Sequence, residues 1–179
     1  MINLLNLGTI TSGYGQRTSP TAGASKNHKG IDIVLKDKNV PAVLGGTVTK
    51  AGYSNSAGQF IEVEQTDGTI ATYMHLSQKN VATGDTITEG QIIGVEGSTG
   101  ISTGSHLHYQ VSFNGDYLDP EAYLNGGFRP DTNLIDTWED NSGGLLSGIA
   151  SKIIQILAVI LVLVFAVYLF MKAFDISII

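Results

Sequence analysis

Four histidines and one aspartate carry the chemistry of this sequence. His28-Lys-Gly-Ile-Asp32 sets an imidazole and a carboxylate four residues apart, across a glycine that permits a turn. His106-Leu-His108 is an i, i+2 pair. On a strand both imidazoles leave the same face while Leu107 turns to the other; a helix would separate them by about 200°. His75 lies in Tyr73-Met-His-Leu76, at the end of a stretch of alternating character. There is no cysteine, so thiol nucleophiles, disulfides, iron–sulfur clusters and Cys-ligated zinc are excluded, and any metal must bind His, Asp or Glu. Zinc in a catalytic site takes three protein ligands and keeps a fourth position for a water whose pKa falls to about 7. Two histidines and one carboxylate meet that requirement, leaving two histidines for proton transfer or for stabilising a developing oxyanion.

The elements that position these groups read as strands. Short β-branched stretches run through Gly46-Thr-Val-Thr-Lys50, Gln59-Phe-Ile-Glu-Val-Glu64, Thr69-Ile-Ala-Thr-Tyr73, Gln91-Ile-Ile-Gly-Val95 and His108-Tyr-Gln-Val-Ser-Phe113. Gly, Asn and Asp turns separate them, which indicates an all-β sandwich or barrel over residues 1–124. Asp67-Gly68 predicts a hairpin turn, and the segment from Gly84 to Val95 reads as two short strands folded about Glu89-Gly90. On a strand, Asp32 faces away from the core that Ile31 and Ile33 enter. No stretch before residue 150 shows a helical period.

Charge and composition narrow the partners. Of 179 residues 15% are charged, against about 25% in an ordinary soluble chain, and the apolar content is concentrated near the C-terminus. The ten Lys and Arg are scattered singly under a net charge of −6, so no basic stripe exists to neutralise a phosphate backbone and nucleic acid is not expected as a partner. Residues 125–151 are rich in Gly-Gly and acidic residues, the composition of a linker. Ile153 to Met171 then runs 19 residues without a charge between Lys152 and Lys172. At about 1.5 Å per residue it matches a hydrocarbon core of ~30 Å, which predicts a transmembrane helix over 152–172, a lipid-bilayer partner and a short tail at 173–179.

At this point the sequence resembles the lysostaphin/LytM-type zinc endopeptidases, which cut peptidoglycan peptides. The resemblance spans about Thr11 to Tyr123. It rests on Ser12-Gly-Tyr-Gly-Gln-Arg17, His28-Lys-Gly-Ile-Asp-Ile33, Tyr73-Met-His-Leu-Ser77, Gly90-Gln-Ile-Ile-Gly94, and Gly97-Ser-Thr-Gly100 through Thr103-Gly-Ser-His-Leu-His-Tyr109. It implies a barrel-sandwich hybrid of the duplicated hybrid type, with a long groove flanked by the loop Gly97 to Gly104. It also implies one zinc per chain held by His28, Asp32 and His108, with His75 and His106 flanking the scissile amide. His106 would be the general base and His75 would orient the substrate or stabilise the tetrahedral intermediate, a division of labour that the sequence leaves open. The segment between Arg17 and His28 departs from the family pattern and bears on fine specificity.

Other classes explain less. Gly84-Asp-Thr-Ile-Thr-Glu-Gly-Gln-Ile-Ile is similar to a biotinyl or lipoyl carrier hairpin, but Lys50 is the only candidate for modification and the histidines go unused. No Gly-x-Ser-x-Gly elbow surrounds Ser105, and Gly97-Ser-Thr-Gly100 lacks the Gly-Lys-Ser/Thr of a phosphate loop. A non-catalytic, membrane-tethered peptidoglycan-binding or scaffolding protein of the same fold is the alternative function. The N-terminus shows no secretory signal, which points to a virion protein in an internal membrane that digests the host wall during entry, with a bacterial inner-membrane protein as the alternative.

Overall fold

A computed structural model of the protein describes residues 1–127. The chain opens with a 3-10 turn at Leu4–Asn6, then lays down β1 (Gly8–Ser12), β2 (Gly15–Gln16), β3 (Asn27–His28), β4 (Ile31–Leu35) and β5 (Asn39–Pro41). The long central strands follow: β6 (Gly46–Ser54), β7 (Gly58–Gln65) and β8 (Ile70–Leu76). Then come β9 (Gln78–Lys79), β10 (Thr86–Ile87), β11 (Ile92–Val95), β12 (Leu107–Phe113), β13 (Asp116–Leu118) and a short helix α1 (Pro120–Leu124). Eight strands form one antiparallel sheet in the order β1-β4-β12-β8-β7-β6-β10, with β13 beside the far end of β12. A three-stranded sheet, β5-β11-β9, and the small β2-β3 ribbon complete the architecture.

Period-two alternation assigns the faces. Ile31 and Ile33 of β4, Ala71 and Tyr73 of β8, and Leu107, Tyr109 and Val111 of β12 are fully buried, and they share one core with Val40 of β5 and Ile93 of β11. The residues between them on β4 and β12, Asp32 and His108, therefore emerge on the opposite face, as the alternation predicts. That core joins both sheets in a mostly-β fold, where the sequence led to an all-β sandwich or barrel.

One turn forms as read, and two other readings need adjustment. The turn at Asp67-Gly68 forms, with Gly68 at φ +81 and β7 and β8 pairing on either side. The strands on either side of Glu89-Gly90 also form, but not as a hairpin: β10 pairs with β6, whereas β11 lies between β5 and β9 in the other sheet. A turn signal fixes a change of direction, and the partner comes from non-local packing. A helix exists before residue 150: Asp119 caps α1 by accepting from the Glu121 N–H, Pro120 opens it, and Gly126 takes a left-handed conformation just past its end. Five residues are too few to show a helical period. Of the linker expected over 125–151, Asn125–Gly127 close this helix. The remainder, with the transmembrane helix over 152–172 and the tail 173–179, lies outside the described residues. Among the described residues no helix is long and apolar enough to cross a membrane.

Candidate metal centre and cleft

Sheet register brings the first two groups together. His108 of β12 stands directly opposite Asp32 of β4, so carboxylate and imidazole are cross-strand neighbours on the face away from the core. His108 Nδ1 lies 2.8 Å from Asp32 Oδ1. His28 enters from the β2-β3 ribbon, its Nε2 3.1 Å from the same oxygen and 3.0 Å from His108 Nδ1. All three residues are buried, and among the described residues they are the one group of His, Asp or Glu side chains arranged to hold a metal ion.

Each outward-facing atom of this triangle is already committed. His28 Nδ1 sits 2.7 Å from the Gly13 carbonyl, which can only accept, so that nitrogen carries the proton and Nε2 keeps its lone pair. His108 Nε2 faces Gln110 Oε1 at 3.0 Å, which by the same logic leaves Nδ1 as the acceptor. Asp32 Oδ2 accepts from the Arg17 guanidinium at 2.9 Å, leaving Oδ1 to face inward. Two imidazole lone pairs and a carboxylate oxygen thus converge within 3.1 Å of one another. Such a cluster is repulsive unless a cation or extra protons lie among the atoms, and outer partners of this kind are what fix metal-ligand tautomers. The donor set therefore fits a zinc ion. In the absence of a cation, burial raises the pKa of Asp32, but the contacts to His108, His28 and Arg17 outweigh it and hold the carboxyl well below the usual range.

Gly30 lets the centre close. The sequence suggests a glycine for its turn, but the structure shows that it is needed for space. A Cβ at Gly30 would lie 2.4 Å from the Tyr109 carbonyl oxygen and 2.8 Å from His108 Nε2. Replacing Gly30 with alanine must move His108 or break its bond to Gln110. Zinc affinity, measured by competition with a chromophoric chelator, is expected to fall about 10–100-fold, as when an outer-shell partner is lost.

His75 and His106 complete the cleft. Strict alternation along β8 would send His75 into the core beside Ala71 and Tyr73. Instead, three residues of β8 (Met74 to Leu76) are matched by two of β7, a bulge, and His75 adopts φ +63. The left-handed residue swings the imidazole into the cleft and returns Leu76 to the core, a strain of the kind that gathers at functional sites. His75 Nδ1 donates to the Thr99 carbonyl at 2.8 Å, and His106 Nδ1 donates to the Gly104 carbonyl at 2.8 Å. Each ring thus holds a proton on Nδ1 and, in its neutral form, leaves the lone pair on Nε2. His106 Nε2 is 3.6 Å from Asp32 Oδ1, and the centroid of the His106 ring is 4.9 Å from that of His75.

Burial lowers the pKa of His75, and the nearby charges of His106 and His108 lower it further; the Thr99 carbonyl and Asp32 oppose this, and the result is about 4. The ring is neutral at pH 7. In the unfolded chain the same group titrates at its ordinary value of 6.5. Between pH 4 and 6.5 the unfolded state binds more protons than the folded one, so stability is full above 6.5 and falls as pH drops toward 4. In a His75→Gln variant the loss of Tm between pH 7 and pH 5 should be smaller than in the parent, as scanning calorimetry would show.

The cleft over these groups has a volume of about 640 Å³. The segment from Thr18 to Asn27 borders it together with Ile101, Ser102 and Thr103, so the loop expected to flank the groove does so. All five predicted site residues meet there. Sequence reasoning did not single out Arg17 and Gln110, which fix Asp32 and His108. For Gln110 the alternation of β12 was a usable signal, since it places residue 110 on the same face as His106 and His108. Arg17 had no such signal.

A triangle of candidate metal ligands on a β sheet, with two spare imidazoles in an open cleft, is the arrangement of a mononuclear metal-dependent hydrolase. The chain belongs to peptidase family M23, whose sequence pattern matches residues 26–120. The resemblance read from the motifs is thereby confirmed. It is 33% identical over 120 residues to the peptidoglycan DD-endopeptidase ShyC of Vibrio cholerae, covering 66% of this chain and 28% of that protein. The crystallised catalytic domain of lysostaphin, an antimicrobial peptidase from Staphylococcus simulans, superposes with a TM-score of 0.61 at 37% identity, covering 68% of this chain and 95% of that one. A zinc-containing peptidase from Vibrio cholerae matches with a TM-score of 0.56 at 29% identity, over 64% of this chain and 36% of that one. The chain spans 22% to 34% of the length of curated relatives that it matches.

Proposed function

We propose that the protein is a zinc-dependent endopeptidase that hydrolyses peptide bonds of bacterial cell-wall peptidoglycan. One observation carries this reading: two imidazole nitrogens and one carboxylate oxygen point at a single position, and two further imidazoles, each anchored through Nδ1, present their Nε2 atoms beside it. The relatives named for peptidoglycan cleavage and for zinc support the choice of substrate and metal.

His28, Asp32 and His108 would hold the ion. When bound, zinc supplies a Lewis acid for the scissile carbonyl and makes a water acidic enough to be deprotonated near neutral pH. His106 is placed to take that proton, because its Nε2 is an acceptor near Asp32 and its Nδ1 proton is anchored on Gly104. His75 in its neutral tautomer also accepts at Nε2, which suits it to orienting a water or a substrate N–H rather than donating to an oxyanion. Arg17 keeps Asp32 turned inward, and Gln110 does the same for His108.

The uncharged stretch from Ile153 to Met171 supports a membrane tether following the peptidase domain and its Gly-rich linker. On this reading the enzyme works beside a bilayer, either a virion's internal membrane or a bacterial inner membrane, and fractionation of particles and cells tells the two apart. The catalytic proposal is tested by incubating the full chain in mild detergent with purified walls of differing cross-link chemistry, with and without chelator. Mass spectrometry should find new amino ends that disappear with chelator and return with zinc, and their identity names the bond. Walls left intact would refute the proposal.

A further inference from the structure

Glu96 is buried as deeply as His28, each at 2% exposure, yet it takes no part in the metal triangle. It follows β11, and its carboxyl is shared between donors on two other elements. Oε2 accepts from the Leu35 N–H at 2.6 Å, and Oε1 accepts from the Ser105 hydroxyl at 2.7 Å. Its main chain makes two more bonds: the N–H donates to the Lys38 carbonyl at 2.8 Å, and the carbonyl accepts from the Ser77 hydroxyl at 3.0 Å. Leu35 ends the strand that carries Asp32, Ser77 lies two residues beyond His75, and Ser105 immediately precedes His106. One residue therefore touches three of the segments that deliver side chains to the cleft.

The register shows what the carboxyl does there. β4 and β12 pair as Asp32 with His108 and Ile33 with Leu107, so an unbroken ladder would next set Leu35 opposite Ser105. The ladder stops at Leu107. The Lys36 N–H points the other way, to Leu7, so the Leu35 N–H is the one aimed toward β12, and it is taken by Glu96. The carboxyl thus replaces a rung, satisfying a buried donor that the ladder would otherwise have paired. On the other side of β12, where alternation aims its N–H, His106 bridges to Gly97, the residue after Glu96, donating to that carbonyl at 3.0 Å.

We infer that Glu96 is a positioning residue for the reaction: its carboxyl ends the β4–β12 ladder and, through Ser105, sets where the His106 ring stands relative to Asp32. This rests on the endopeptidase reading for its kinetic consequence but not for its structural one. Ser105 is exposed, so its hydroxyl can be removed without opening the core.

Full-length Ser105→Ala, Ser105→Thr and Glu96→Gln chains are compared with the parent in wall digestion, zinc content, Tm and amide hydrogen exchange. Ser105→Ala should keep its zinc and Tm, lose about tenfold in kcat with KM within about twofold, and recover most of that loss in Ser105→Thr, which restores the hydroxyl. Exchange should quicken at residues 105–107 in Ser105→Ala and Glu96→Gln and stay unchanged at 61–65. A kcat within about twofold of the parent, a loss that threonine does not recover, or unmoved exchange at 105–107 overturns the inference. If the parent itself releases nothing from walls, the endopeptidase reading fails, and the exchange comparison alone decides whether Glu96 positions His106.

Discussion

Replacing His28, Asp32 or His108 with alanine is expected to cripple zinc binding and wall cleavage together. Each substitution removes one corner of a triangle whose edges are 2.8–3.1 Å, and two remaining donors do not make a tight site. Asp32→Ala should be the most severe. It removes the only formal negative charge of the centre and leaves the Arg17 guanidinium with the Ser12 hydroxyl, 2.6 Å away, and a longer bond to the Ser25 carbonyl. The loss of affinity should exceed the about 10–100-fold typical of outer-shell partners, and a zinc competition titration run beside the wall assay checks both halves. A variant that kept turnover without zinc would refute the assignment.

His106→Ala should behave oppositely: zinc stays and turnover falls. His106 lies outside the metal triangle, its Nδ1 proton is spent on Gly104, and Nε2 is the nitrogen left facing the cleft. Losing a positioned general base costs about 10²–10⁴-fold, and the fall should appear in kcat while KM changes little. His75→Ala provides the contrast. An imidazole that orients rather than takes the proton costs less, and His75, held at Nδ1 by Thr99 and with its pKa pulled down to about 4 chiefly by burial, is a weak base. Full turnover in His106→Ala would show that its role as base is wrong.

Much of this site was legible before any coordinates, for a physical reason. His108 and Asp32 lie on strands, and His106 just before one, whose apolar residues Leu107, Tyr109, Ile31 and Ile33 are buried, so alternation alone sends the chemistry to the other face. The same rule fails at His75, where a bulge and one left-handed residue reverse the facing; nothing in Tyr73-Met-His-Leu76 announces that. Gly30 was noticed, but as a turn residue, because a sequence shows flexibility and hides the backbone that packs against it. Glu96, in Gly94-Val-Glu-Gly97, looks like a solvated loop residue until the β4–β12 register shows which N–H it meets. Arg17 escaped for the same reason, since its bond to Asp32 joins separate elements. Local pattern predicted faces, while contacts between distant segments decided partners.

The central claim is that His28, Asp32 and His108 share one ion. Zinc K-edge X-ray absorption on the zinc-loaded full chain tests it most directly. The account predicts one zinc per chain with a nitrogen and oxygen shell at about 2.0–2.2 Å containing two imidazoles, and a single imidazole in the residual metal of His108→Ala. A shell without imidazole scattering, or one left unchanged by His108→Ala, would contradict it.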